Sequence, residues 1–451
     1  MKVLVVGNGI AGNEVAFGLR QLGARCEITI ISSDKWPEYD PCSLPYFVSG
    51  DVPREAVFRR ALDDYGKSGI DLVLENKAVG IDPESKCVAT QSKDVYRYDK
   101  LVLSHGGRLV IPPIKGIDMQ GVFSCKELTE ADKLFGHKGS AAVVIGSGAI
   151  GVEAAEALKK RGFEVTLIEL LDWMLPTMFD EPVARRLEDA LRGYGIDVLT
   201  GERVQRIVGD ASVKGVVTDR REVPCDTVVI ATGVAPQKEL AQAAGIEVKR
   251  GIIVNETMQT TVQDIYACGD CVEAPNAFTG ERCISQLKHN AIEQAHIVTK
   301  NILGENASYS GAYPFARAHF FETHAATFGR TMQTVCDEED VEVIERKGCD
   351  DYLRIILKSG IVVGGQAIGE YADNIGLFLS AMWRRDDFKQ MRDKWHHISK
   401  LDSSSPWVYR KLGRLIGLPT SEGFSPQRHK DTKKAEYSSV AYTRASSGEA
   451  S

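Results

Sequence analysis

The sequence predicts an α/β fold in which one β-α-β unit occurs twice, and three observations carry that expectation. An apolar strand runs directly into Gly7-Asn8-Gly9-Ile10-Ala11-Gly12. The same arrangement returns 139 residues later at Gly146-Ser147-Gly148-Ala149-Ile150-Gly151. After each glycine turn, a stretch of helical periodicity leads to a second apolar strand, the context that separates a nucleotide-binding turn from an incidental one.

The elements follow in order. Residues 2–6 form the first strand, a helix extends to about residue 22, and a strand over 28–31 closes the unit. Residues 141–145, a helix to about 161 and a strand over 165–168 repeat it. The three glycines have separate tasks: a tight turn, close approach of backbone to a pyrophosphate, and close packing of helix on strand. The phosphates then sit at the positive end of the helix. Gly7, Gly9, Ile10, Ala11 and Gly12 are therefore candidate ligands of one dinucleotide, and Gly146, Gly148, Ile150 and Gly151 of another.

The two copies differ where their second strands end. Glu169 stands 18 residues beyond Gly151, where a carboxylate accepts hydrogen bonds from ribose hydroxyls and repels a 2′-phosphate. No Arg or Lys follows in Leu170-Leu171-Asp172-Trp173, so NAD(H) is expected over NADP(H). The first copy has Ser32-Ser33-Asp34 instead, and Ser32 and Ser33 are the candidate ribose contacts there.

Composition narrows the classes. The chain has 451 residues, 43% hydrophobic and 26% charged, with ten cysteines and a formal net charge of −7. That balance gives no electrostatic footprint for nucleic acid. No apolar run approaches the roughly 18 residues of a membrane helix. The first strand begins at once, without room for a signal peptide, and the cysteines lack the spacing of a disulfide framework. A cytoplasmic protein is expected, without nucleic-acid or membrane partners.

Two further segments connect these units. Asp226-Thr227-Val228-Val229-Ile230-Ala231-Thr232-Gly233-Val234-Ala235-Pro236 is an apolar strand with a Gly-Pro turn. Thr260-Thr261-Val262-Gln263-Asp264-Ile265-Tyr266-Ala267-Cys268-Gly269-Asp270 is another, ending in Gly-Asp. With the glycine turns they resemble the pyridine nucleotide-disulfide oxidoreductase superfamily over about residues 1–400. The resemblance implies two Rossmann-like dinucleotide-binding domains and a C-terminal α+β dimerisation domain. The FAD domain would comprise 1–112 and 256–305, the NAD domain 113–255, and the dimerisation domain 311–418, with a polar tail over 419–451. It places Asp270 at the ribityl and pyrophosphate part of the flavin, and adds Ser43, Val79, Ser104, Gly233 and Gly269 to the cofactor set. Leu103-Ser104-His105-Gly106-Gly107 departs from the usual Ala-Thr-Gly of the first crossover, leaving His105 without a role.

Within that superfamily, Tyr39-Asp40-Pro41-Cys42-Ser43-Leu44-Pro45-Tyr46-Phe47-Val48-Ser49-Gly50 looks like the cysteine segment of the single-cysteine subgroup. The segments Met174-Leu175-Pro176-Thr177-Met178-Phe179-Asp180 and Val363-Gly364-Gly365-Gln366-Ala367-Ile368-Gly369 match the same subgroup. It contains coenzyme A-disulfide reductases, NADH oxidases and NADH-dependent persulfide or polysulfide reductases. The resemblance makes Cys42 a redox thiol, and a helix starting near Ser43 is expected to lower its pKa. The Cys-x4-Cys of glutathione reductase-type enzymes is absent, which excludes that internal disulfide relay. The residues before Cys42 and the histidine-free first glycine turn depart from subgroup habit.

The implied function is a FAD-dependent NADH oxidoreductase, a homodimer, that reduces a small disulfide, persulfide or polysulfide through Cys42. The alternatives are an NADH oxidase or peroxidase, and a reductase passing electrons to an iron–sulfur protein or other redox partner. Cys268 and Cys271 have CxxC spacing but overlap the Gly-Asp turn and read as packing. The other seven cysteines, Cys125 and Cys283 among them, read as packing or surface residues. His319, Glu322 and His324 could ligate metal or shuttle protons, with a packed or interfacial role favoured. Strands are expected over 341–345, 352–357 and 361–369, a helix over 372–383, and a basic amphipathic helix over 407–417.

Overall fold

A computed structural model describes residues 1–388. Lys2–Val6 is the middle strand of a five-stranded parallel sheet in the order Ile265–Ala267, Lys100–Leu103, Lys2–Val6, Glu27–Ile31, Ile70–Val73. Its strands are covered on both faces, which is why they read as unbroken apolar runs rather than alternating ones. The second parallel sheet runs Ile196–Leu199, Glu164–Ile168, Ala141–Ile145, Thr227–Ile230, Val122–Ser124.

The two sheets repeat one register. Val6 pairs with Ile31 and Leu103 in the first, and Ile145 with Ile168 and Ile230 in the second. Even the turn bonds agree: the Gly7 N–H donates to Ile31 O at 2.9 Å and the Gly146 N–H to Ile168 O at 2.8 Å. The intervening helices are Ile10–Gln21 and Ala149–Lys160, each with a turn glycine, Gly9 or Gly148, as its N-cap.

The segments joining the sheets are paired with each other. Gly107–Leu109 runs antiparallel to Val234–Pro236, so the chain leaves toward the second sheet and returns at one place.

A third sheet is antiparallel: Phe315–Phe320, Thr323–Gly329, Ile361–Ile368, Tyr352–Lys358, Val341–Lys347. Its last three strands lie where the sequence placed them. The first two form a hairpin the sequence reading did not contain. His319 and His324 pair across it with ring centroids 4.6 Å apart on an exposed face, and His324 Nδ1 lies 3.7 Å from Asp373. The helix expected over 372–383 is divided into Glu370–Asp373 and Ile375–Arg384. The helix expected over 407–417 and the polar tail over 419–451 lie outside the described residues, as does the end of the segment 311–418. Among the described residues, no helix is long and apolar enough to cross a membrane.

Candidate functional site

Both glycine turns open into one cleft of about 1570 Å³, larger than the roughly 300–1,000 Å³ that holds a single small ligand. Gly7, Gly9, Ile10 and Ala11 line it from the first turn, Gly148, Ala149 and Ile150 from the second. Ser32, Ser33, Cys42, Ser104, Gly233, Gly269 and Asp270 complete the sequence-derived set along its walls.

The glycines are required for different reasons. Gly7 has φ +114° and Gly146 φ +100°, a region that side-chain-bearing residues avoid. A Cβ on Gly12 would lie 2.2 Å from Gly7 O, and one on Gly151 2.0 Å from Gly146 O, so both let a helix seat on its own turn. Neither Gly12 nor Gly151 lines the cleft, nor does Gly146. Gly9 and Gly148 are the reverse case: nothing lies within 4 Å of a Cβ at either position. The space beside these two helix N-termini is open, as a pyrophosphate requires.

Polar groups along the walls fit the same occupants. Asp270 lines the cleft with its carboxyl pushed upward by burial, against a lowering influence from Lys126. Gln286 Nε2 and His105 Nδ1 are buried without a hydrogen-bond partner, and both residues line the cleft. His105 Nε2 lies 3.0 Å from Gln237 O, and Gln237 Nε2 donates back to His105 O at 2.8 Å. The carbonyl accepts, so Nε2 carries the hydrogen and Nδ1 is a lone-pair acceptor. Burial lowers the His105 pKa to about 4, and the ring is neutral. These donors and acceptors suit the hydroxyls, amides and phosphates of two dinucleotides.

Several expected contact residues stand outside the cleft wall or turn their side chains elsewhere. Val79 is exposed and outside the cleft wall, while Lys77 and Ala78 belong to it. Ser43 is also outside it, its N–H donating to Asp40 O at 3.0 Å. Ser104 lines the cleft, but its hydroxyl donates to Val6 O at 3.1 Å, under the first turn. Glu169 is buried behind the second turn: Oε2 accepts from Ser147 N–H at 2.9 Å and Ser147 Oγ–H at 2.6 Å, and Oε1 from Leu171 N–H at 2.9 Å. It braces the turn from outside the cleft wall.

Cys42 is accessible from the cleft, in the short 3-10 turn Pro41–Ser43. Asp40 caps that turn, Oδ1 accepting the Cys42 N–H at 3.1 Å, while its other oxygen pairs with Lys288. The expected lowering of the thiol pKa is reversed. Enclosure by the walls, then the charges of Asp40 and Glu153, push Cys42 up to about 11, opposed by Lys288. The helix that follows, Leu44–Ser49, has only six residues and begins after the cysteine, so its dipole is a weak counterweight.

Other groups entered the site unannounced. Cys125, buried, and Cys283 line the cleft, so neither is merely a scattered packing residue. Glu153, Lys126, Lys288 and Gln286 line it too. Only Glu153 carried a sequence signal, its place two residues after the second glycine turn. Cys268 and Cys271 are fully buried, and Cys271 Sγ donates to Leu103 O at 3.4 Å and Cys268 O at 3.3 Å.

Comparison with known proteins agrees with this geometry. Residues 1–295 match the family described as pyridine nucleotide-disulphide oxidoreductase. A NADH oxidase of Methanocaldococcus jannaschii is 35% identical over 320 residues, covering 68% of this chain and 71% of that protein. The structure of a NAD-dependent persulfide reductase from A. fulgidus superimposes with TM-score 0.84 at 30% identity, covering 92% of this chain and 84% of that one. A ferredoxin reductase from Rhodopseudomonas palustris superimposes with TM-score 0.76 at 28% identity, covering 83% and 92%.

Proposed function

The chain belongs to the pyridine nucleotide-disulphide oxidoreductase family, and from that premise we propose that it is a FAD-dependent NADH oxidoreductase that reduces a small disulfide, persulfide or polysulfide through Cys42. The observation that carries the reading is the presence of both glycine turns and the exposed Cys42 in a single cleft. FAD and NADH, when bound, supply the two-electron hydride chemistry. The N-terminal turn, Ser32, Ser33, Gly269 and Asp270 would hold the FAD, and Gly148, Ile150 and Gly233 the NADH.

The protein's own residues do the rest. Asp40 fixes the turn that presents Cys42 to the cleft. Lys288, held by Asp40, supplies the positive charge that opposes the thiol's upward shift. The cleft presents the exposed sulfur to a small substrate. We also propose that the first parallel sheet belongs to the FAD domain and the second to the NAD domain. The antiparallel sheet would mediate a cytoplasmic homodimer.

Cys42→Ser tests the reading. The variant should retain FAD and still be reduced by NADH, since neither step needs sulfur. Turnover with disulfide or polysulfide should fall to background, because an alcohol cannot form the mixed disulfide. Wild-type turnover in the variant would make Cys42 scaffold. The second reading, electron delivery to an iron–sulfur protein, is favoured by the upward shift of the Cys42 thiol, and it is supported if Cys42→Ser reduces a ferredoxin with NADH at the wild-type rate.

A further inference from the structure

His105 has no part in the chemistry proposed for Cys42, and its ring is held on one side only. Nε2 donates to Gln237 O at 3.0 Å, while Gln237 Nε2 donates to His105 O at 2.8 Å. The residue that follows the returning strand Val234–Pro236 thus clamps ring and backbone together. The other ring nitrogen, Nδ1, is buried without a hydrogen-bond partner, although the residue lines the cleft. A buried acceptor left unpaired is costly, and one that lines a cleft can be satisfied by what the cleft holds.

The strand order of the first sheet says which part of a ligand meets that nitrogen. Ile265–Ala267, Lys100–Leu103, Lys2–Val6 and Glu27–Ile31 are neighbours in that order and run parallel, so their carboxyl ends share one edge. Across that edge, Ser32 and Ser33 follow Glu27–Ile31, and the first glycine turn follows Lys2–Val6. Ser104 and His105 follow Lys100–Leu103, and Gly269 and Asp270 stand beyond Ile265–Ala267. A dinucleotide lies outside the carboxyl ends of such strands with its pyrophosphate on the glycine turn. With its adenosine ribose at Ser32 and Ser33, its flavin half lies on the other side of the turn, toward His105 and Asp270. A Cβ on Gly7 would stand 2.8 Å from His105 N, which fixes His105 beside the turn. A second unpaired group marks the same stretch. Gly107 leaves room for Gln286 Nε2, 2.9 Å from where a Cβ would be, and that nitrogen is buried without an acceptor.

We propose that His105 positions the flavin half of FAD, its Nδ1 accepting a hydrogen bond from an N–H or O–H of that half. The inference rests on the seat of FAD at the first glycine turn and is independent of Cys42. Gln237 O decides which ring nitrogen is left free, since a carbonyl can only accept. Burial lowers the ring's pKa to about 4, so Nδ1 stays an acceptor through the neutral range. The groups on that half of FAD able to donate are the ribityl hydroxyls and the isoalloxazine N–H.

The test observes full-length protein, its histidine nitrogens isotopically labelled, by nitrogen NMR with FAD bound and after FAD is removed. The His105 signals are those lost in His105→Leu. With FAD bound, the Nδ1 signal should move upfield of its position in the FAD-free protein, as an acceptor nitrogen does on engaging a donor, while Nε2 keeps its hydrogen. FAD affinity, titrated into FAD-free full-length protein, should fall about 10-fold in His105→Leu, the loss of one buried hydrogen bond. His105→Asn, whose Oδ1 replaces the acceptor at the δ position, should bind within about 2-fold of wild type although it gives up the bond to Gln237 O. A ring that merely fills space predicts the reverse order, since Leu packs the site and Asn forfeits the clamp. An Nδ1 signal indifferent to bound FAD overturns the inference, whatever the folding of the variants. So does a His105→Leu variant that binds FAD as tightly as wild type. Protein that takes up no FAD would instead defeat the seat of FAD at the first turn, and this inference with it.

Discussion

Glu169 shows how a residue can be identified by position and still be misread in action. Its place at a strand end was legible; its commitment to Ser147 and Leu171 was not, because those bonds depend on the turn's folded path. Its bonds hold the turn in shape, and we propose that from behind the turn it still opposes a 2′-phosphate. Glu169→Ala should therefore raise the KM for NADH while narrowing the preference over NADPH, measured as the ratio of kcat/KM values. A preference left unwidened and unnarrowed would detach selectivity from this carboxylate. Cys42 teaches the same lesson about charge. The cysteine was readable, but its pKa follows from burial first and then from Asp40, Glu153 and Lys288, the last two 111 and 246 positions away in sequence. His105 was visible only as a departure, and its partner Gln237 lies 132 positions on.

Among the elements, the duplicated strand–turn–helix was the most legible part, since apolar strands and spaced glycines are local signals. Lys2–Val6 and Ala141–Ile145 fall on their expected residues. The hairpin of Phe315–Phe320 and Thr323–Gly329 was hidden because its turn lacks the usual Gly or Asn: Phe321 itself adopts φ +49°. The glycines within the second turn make separable predictions. Gly151→Ala forces a Cβ to 2.0 Å from Gly146 O, and overpacking of this kind costs about 1–3 kcal/mol, read as a lowered Tm. Gly148→Ala has φ −66° and open space, so Tm should hold while NADH affinity falls as the methyl enters the phosphate space. Equal losses of stability in both variants would contradict the division of labour between the two glycines.

For the whole molecule, two parallel sheets with one register face a common cleft, and an antiparallel sheet follows them. The parallel sheets could be read from repetition, whereas the shared cleft arises only from tertiary packing such as that of Leu44–Ser49 on Ala149–Lys160. The pairing of Gly107–Leu109 with Val234–Pro236 has an evolutionary consequence. A segment that departs and rejoins through neighbouring strands can be exchanged without stretching its host, since little chain entropy is needed to close the gap. Coenzyme preference is then a transplantable property, able to change by recombination at two short joints rather than by accumulated point substitution. A chimera carrying a NADPH-preferring relative's segment between Leu109 and Val234, with the joints retained, should keep its FAD and acquire the donor's preference in the kcat/KM ratio. A chimera that folds, keeps FAD and still prefers NADH would mean that specificity is distributed across the host and cannot be inherited piecewise.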